Sequence, residues 1–135
     1  MDIDLPITVG IGRKNYALNL NIYRNTHYQT LNRMKVEFGS LVKDQISSLP
    51  QYKSIDLTYT LYPKTKRLCD IANICCIVDK FFCDVLVNNQ KISDDNYQIV
   101  KQVHYKFGEV DKENPRVTVS ISGEPYENYV SPTRN

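Results

Sequence analysis

One stretch of this 135-residue chain is apolar enough to make a long core helix, yet it is studded with acids: from Asp70 to Asn96 it reads DIANICCIVDKFFCDVLVNNQKISDDN. At about 100° per residue, Ile71, Ile74, Val78, Phe81, Phe82 and Val85 cover one broad arc that should pack against a sheet. Clustered carboxylates raise one another's pKa unless a cation sits between them. For Asp70, Asp79, Asp84, Asp94 and Asp95 a divalent metal is the simplest remedy.

The flanking patterns complete a small α+β plan. Ile3 to Ile11 reads as a first strand interrupted by Pro6, and Lys14 to Tyr28 as a long asparagine-rich loop with some extended structure. Thr26 to Ser48 reads as a helix with Leu31, Met34, Phe38, Leu41 and Ile46 near one stripe, ended by Ser47, Ser48 and Pro50. Ile55, Leu57, Tyr59 and Leu61 alternate with polar residues as in a half-buried strand, which runs into the basic turn Pro63-Lys64-Thr65-Lys66-Arg67. Tyr97 to Phe107 and Arg116 to Ser122 read as two further strands. The expectation is a mixed sheet of about four strands packed on two helices, a single domain over 1–122, and a mobile polar tail over 123–135.

Charge is divided between the halves. Residues 1–67 hold ten Lys or Arg against five Asp or Glu, and residues 68–135 hold seven against ten. From Leu5 to Val36 there is no acid, while Arg13, Lys14, Arg24, Arg33 and Lys35 alternate with tyrosines and asparagines. That mixture suits a polyanion whose phosphates need charge and whose bases offer flat faces; a solvated basic loop is the plain alternative. Cys69, Cys75, Cys76 and Cys83 lack zinc-ribbon or redox spacing and read as reduced, buried thiols, the alternative being a zinc site with His27 or His104. With no apolar run of membrane-spanning length and no basic, apolar secretory leader, a cytoplasmic location is expected.

On the helical wheel Asp70, Asn73, Lys80 and Asp84 fall on one narrow polar stripe, which predicts convergence on a common ligand. Asp79 falls about 120° away and reads as a solvated flank residue. Asp94 and Asp95 follow in a loop from which a carboxylate can point back at the helix, although Ser93-Asp94-Asp95 also suits a turn or cap. Two or three carboxylates on a shared cation are what magnesium-dependent phosphodiester cleavage uses, with a lysine to stabilise the extra charge of the transition state.

At these residues the sequence resembles the RusA-type Holliday junction resolvases, endodeoxyribonucleases of phages and prophages. Asp70-Ile71-Ala72-Asn73 matches the family's D-x-D-N element, Lys80 to Leu86 (KFFCDVL) its K-x-x-x-D-x-L element, and Asp94-Asp95 its loop pair. The likeness covers roughly residues 5–122, including LNLNIYRNTHYQTLN and NPRVTVSI. It departs from the family where Ala72 stands for the second aspartate and where about one helical turn is inserted before Lys80. The resemblance implies a RusA-like fold and paired, magnesium-dependent (or manganese-dependent) incision of four-way junctions in recombination and repair by a homodimer, with no organic cofactor and no membrane.

Its implied catalytic set is Asp70, Lys80, Asp84 and Asp95, with Asp70, Asp84 and Asp95 on the metal and Asp84 as first choice to replace the acid missing at Ala72. Asn73, Asp79 and Asp94 stand in reserve. Arg13, Lys14, Arg24, Asn25, Arg33, Lys64, Lys66 and Arg67 are expected on DNA. The alternatives are a catalytically weak branched-DNA binder of the same fold and a protein with unrelated binding or structural work; metal-dependent cleavage and salt-sensitive junction binding separate the three.

Overall fold

A computed structural model of the chain describes residues 1–126. Two β-rich pieces and two substantial helices make an α+β fold. Strands β1 (Asp2–Leu5), β4 (Tyr52–Tyr62), β5 (Val100–Phe107) and β6 (Arg116–Pro125) form a four-stranded mixed sheet in the order β1-β6-β4-β5. Strands β2 (Thr8–Ile11) and β3 (Lys14–Ala17) make a separate two-stranded hairpin. The helices are α1 (Leu20–Asn25), α2 (Tyr28–Ser47) and α3 (Ile71–Asn88).

Pro6 does more than interrupt one strand. It carries no N–H, so the ladder ends there, and the chain leaves the main sheet for the hairpin. The region read as a loop from Lys14 to Tyr28 holds β3 and α1 instead. Asn19 starts that short helix by accepting from the Ile22 N–H at 2.8 Å, a cap role that amide-rich sequence offers as readily as a loop.

β4 is the central strand, paired antiparallel with β6 and parallel with β5. Its alternation is as expected: Ile55, Leu57, Tyr59 and Leu61 are buried against α3, and the intervening residues form a half-exposed outer face. The parallel β4–β5 pair requires a crossover, and α3 supplies it. Phe81, Phe82, Val78, Cys75 and Leu86 are fully buried on its sheet side. Phe38 of α2 meets Phe81 edge-on at 5.6 Å, and Tyr59 meets Phe82 in the same way at 6.3 Å.

Leu41 does not belong to the buried stripe of α2. It is 60% exposed, because Val42 takes the inward position and adjacent helical residues lie about 100° apart. β6 continues through Gly123, Glu124 and Pro125, pairing with β4 to Tyr52, so the domain passes the expected limit at Ser122. The rest of the expected tail, 127–135, lies outside the described residues. Among the described residues no helix is long and apolar enough to cross a membrane.

Candidate acidic site and nucleic-acid interface

Asp70 ends the coil that follows the basic turn and caps α3, its carboxylate accepting from the Ala72 N–H at 3.0 Å. An acid here meets the positive end of the helix dipole and satisfies an otherwise unbonded N–H. From that cap, α3 runs unbroken to Asn88. At about 1.5 Å rise per residue, Asp70 and Asp84 are roughly 20 Å apart along the axis. One ion cannot take both.

The polar stripe is tied to its neighbours at each point, although Lys80 remains exposed. Asn73 accepts from the Leu20 N–H at 3.0 Å and so fastens the start of α1. Lys80 lies 5.8 Å from the centre of the Tyr23 ring of α1. Asp84 pairs with Lys35 of α2 at 3.4 Å. These three contacts are consecutive points at which α3 holds the N-terminal helices, which is why the stripe does not converge on one ligand.

The other edge of the apolar arc carries Cys76, Asp79 and Cys83, spaced three and four residues apart and facing β5. Asp79 is half-buried rather than a solvated flank residue. Its Oδ1 accepts from the Tyr59 hydroxyl at 2.6 Å and from the Cys83 thiol at 3.4 Å. Tyr59 is wholly buried, and a phenol inside a core needs a partner, so Asp79 completes the sheet–helix packing as well as offering a charge. Tyr105 of β5 faces the same carboxylate. Burial first, then the charge of Asp79, pushes its hydroxyl up, and a hydrogen bond to Asp79 adds to this.

Two further thiols report where charge gathers. Burial raises Cys83 most, followed by the charge of Asp79 and its hydrogen bond, and Asp95 contributes in the same direction. Asp79 thus acts on this thiol by contact and Asp95 by charge alone. Cys76 is raised by burial and by Asp79, lowered by Lys80 and Arg24, and raised again by Asp70. Acids and bases of α1 and α3 thus act on Cys76 through their charge.

Next to this cluster, Asp70 and Asn73 line a cleft of about 560 Å³ together with Asn19, Lys64 and Arg67. Lys66 is exposed in the same turn. Arg13 and Lys14 stand exposed at the β2–β3 turn. Arg24 and Asn25 end α1, where Asn25 is tied back to the Asn21 carbonyl at 2.9 Å. Arg33 is apart from all of these, in a separate groove on α2 with Asn32, Val36 and Glu37. Asp94 accepts from the Asp95 N–H at 2.8 Å and the Asn96 amide at 2.9 Å, bonds that hold its carboxyl below the usual range and give it a turn-forming role.

No protein-family model matches the chain, and no curated protein matches it. The site is therefore read from its own geometry. Among the described residues no three Cys, His, Asp or Glu side chains form a group that could hold a metal ion, including any cysteine–histidine zinc set. Magnesium needs less, since it commonly takes one or two carboxylates and fills the rest of its shell with water and substrate phosphate. Asp79 and Asp95 are carboxylates with no ion pair among the described residues, whereas Asp84 is committed to Lys35.

All four cysteines are free, with Cys75 and Cys83 buried, Cys76 half-buried and Cys69 exposed, so the expectation of buried thiols holds for Cys75 and Cys83, only in part for Cys76, and fails at Cys69. Burial, then the charges of Cys76, Asp79 and Cys69, moves Cys75 from 9.0 to about 12. Below pH 9 both folded and unfolded chains keep that proton; between 9 and about 12 only the folded chain does. Stability is then expected to be full below pH 9 and to fall towards pH 12, by about 1.4 kcal/mol per pH unit for this group. Urea melts at pH 8, 9.5 and 10.5 measure it, and a flat profile would refute it.

Tyr59, Cys76, Cys83 and Tyr105 were missed as site residues. Two signals were available: a hydroxyl at Tyr59 among three aliphatic inward positions of β4, and the common helix edge of residues 76, 79 and 83.

Proposed function

We propose that this protein is a structure-selective endodeoxyribonuclease that resolves four-way DNA junctions by paired, metal-dependent phosphodiester hydrolysis, acting as a homodimer of RusA-like subunits. The observation that carries the reading is the cleft in which Asp70 and Asn73 at the start of α3 meet Asn19, Lys64 and Arg67. Acids next to fixed cations at the mouth of a basic cleft are what a bound phosphodiester requires. The match of Asp70, Asn73, Lys80 and Asp94-Asp95 to the RusA pattern supports the same chemistry.

Asp79 and Asp95 would hold the magnesium or manganese ion, which when bound polarises a phosphate and acidifies its water. Tyr59 keeps the Asp79 carboxylate in one orientation through its buried hydroxyl. Asn73 fastens α1 to α3 and so sets where Arg24 can meet a phosphate. Lys80 faces the charge that grows on the phosphate during hydrolysis. The basic turn at Lys64, Lys66 and Arg67 and the hairpin tip at Arg13 and Lys14 extend the phosphate track.

A catalytically weak junction binder of the same fold is the second reading. Ala72 in place of an acid favours it. A labelled synthetic four-way junction and a matched duplex, incubated with magnesium or with chelator, test both. Paired magnesium-dependent nicks confined to the junction are the expected result. Junction binding without nicks would leave the second reading, and no preference for the junction would sink both.

A further inference from the structure

Among the described residues β5 forms one edge of the main sheet and pairs only with β4. Such an edge presents unpaired N–H and C=O groups and is normally shielded. Here Lys101, Gln102, Val103, His104, Lys106 and Phe107 are all exposed, and no acid occurs between Asn96 and Gly108. No ion pair involves Lys101 or Lys106 among the described residues.

Register divides the strand into two rows. Gln102, His104 and Lys106 lie opposite Asp56, Thr58 and Thr60 on the outer face, whereas Val103, Tyr105 and Phe107 lie opposite Leu57, Tyr59 and Leu61 on the helix side. Phe107 remains 52% exposed and Val103 39% exposed. The edge therefore offers His104 and Lys106 on its outer face and Val103 and Phe107 on its helix side, with Lys101 at the register shift between Val100 and Gln102.

A second copy of this chain is a poor occupant. Symmetric antiparallel pairing in the full-length register, Val100 against Phe107, would set Lys101 opposite Lys106, and like charges directly opposed destabilise a strand pair. Duplex DNA would use the lysines and leave Phe107 and Val103 facing water. An unpaired strand uses both kinds of group, because its phosphates need cations and its open bases stack on aromatic rings.

We infer that the β5 edge is a binding track for unpaired single-stranded DNA, with Lys101, His104 and Lys106 along the phosphates and Phe107 beneath a base. This rests on the reading of the chain as a branched-DNA protein. It adds a substrate feature that the cleft does not: recognition of an unpaired strand next to the point of incision.

The test is fluorescence anisotropy of a labelled oligo-thymidine and of a four-way junction with fully paired arms, over a salt series. Wild type is compared with Lys101→Glu/Lys106→Glu, with Phe107→Ala, and with Lys64→Glu/Arg67→Glu in the cleft. The edge double variant should lose at least about ten-fold in oligo-thymidine affinity, and its log–log salt slope should flatten by about 1.4, as loss of two single-strand phosphate contacts requires. Phe107→Ala should weaken the same probe about ten-fold with the slope unchanged.

The paired junction should respond mainly to the cleft variant. Equal oligo-thymidine binding by wild type and both edge variants, with junction binding intact, would overturn the inference and leave the proposed function standing. Failure of wild type to bind either DNA would overturn both. Edge-dependent binding to phosphatidylserine vesicles without oligo-thymidine binding would overturn the inference in favour of an anionic membrane surface. All the substituted residues are exposed, and matching thermal melts confirm that the variants are folded.

Discussion

Asp79→Asn is expected to lower junction cleavage by about 100-fold or more, while Asp84→Asn changes it less than about two-fold. Even partners that merely orient a metal ligand cost about 10 to 100-fold when removed, so loss of a carboxylate that faces the ion directly should reach at least the upper figure. Asparagine keeps the size of the side chain and an oxygen for the Tyr59 hydroxyl, which preserves the packing under it. At Asp84 the same change removes only a half-exposed ion pair with Lys35, worth about 1 kcal/mol or less. Cleavage rates on a labelled junction at saturating magnesium measure both. The opposite ranking, with Asp84 essential and Asp79 dispensable, would return the metal to the polar stripe. Tyr59→Phe separates positioning from ligation: it should weaken the magnesium dependence, shifting half-saturation upward, while a purely structural hydroxyl would alter only stability.

Phe81→Ala carries the largest expected effect on stability, a loss of about 3 to 5 kcal/mol. The ring is fully buried at the α2–α3 contact and stands edge-on to Phe38, so truncation removes apolar burial, the paired-ring contact and the filling of a site walled by rigid elements. A domain of this size is commonly stable by about 5 to 15 kcal/mol, so the variant should unfold at markedly lower urea or not accumulate. Phe81→Leu keeps most of the volume and should cost much less. A midpoint unchanged in Phe81→Ala would mean that α2 does not dock on α3 as described.

Legibility differed between elements for identifiable reasons. The inward alternation of β4 and the long apolar helix were plain because each has a single period and one buried face. The break at Pro6 was plain too, but not that the two sides belong to different sheets, since a missing N–H ends a ladder without saying where the chain goes next. α1 was hidden because asparagines serve loops and helix caps alike.

The site shows the same division. That acids, a lysine and a basic turn would lie near one helix follows from their order along the chain, and the angular position of each on α3 follows from helix geometry alone. Which angular edge is free to act is a property of what packs on the helix. α1 and α2 occupy the edge of Asn73 and Asp84, where Lys80 lies beside Tyr23 and stays exposed. β4 and β5 bring Tyr59 and Tyr105 to the edge of Asp79. Helical periodicity is local and therefore written in the sequence, whereas the partners of each edge come from other segments, some more than 50 residues away, as with Leu20 and Asn73 at a separation of 53, and only the folded chain sets them side by side.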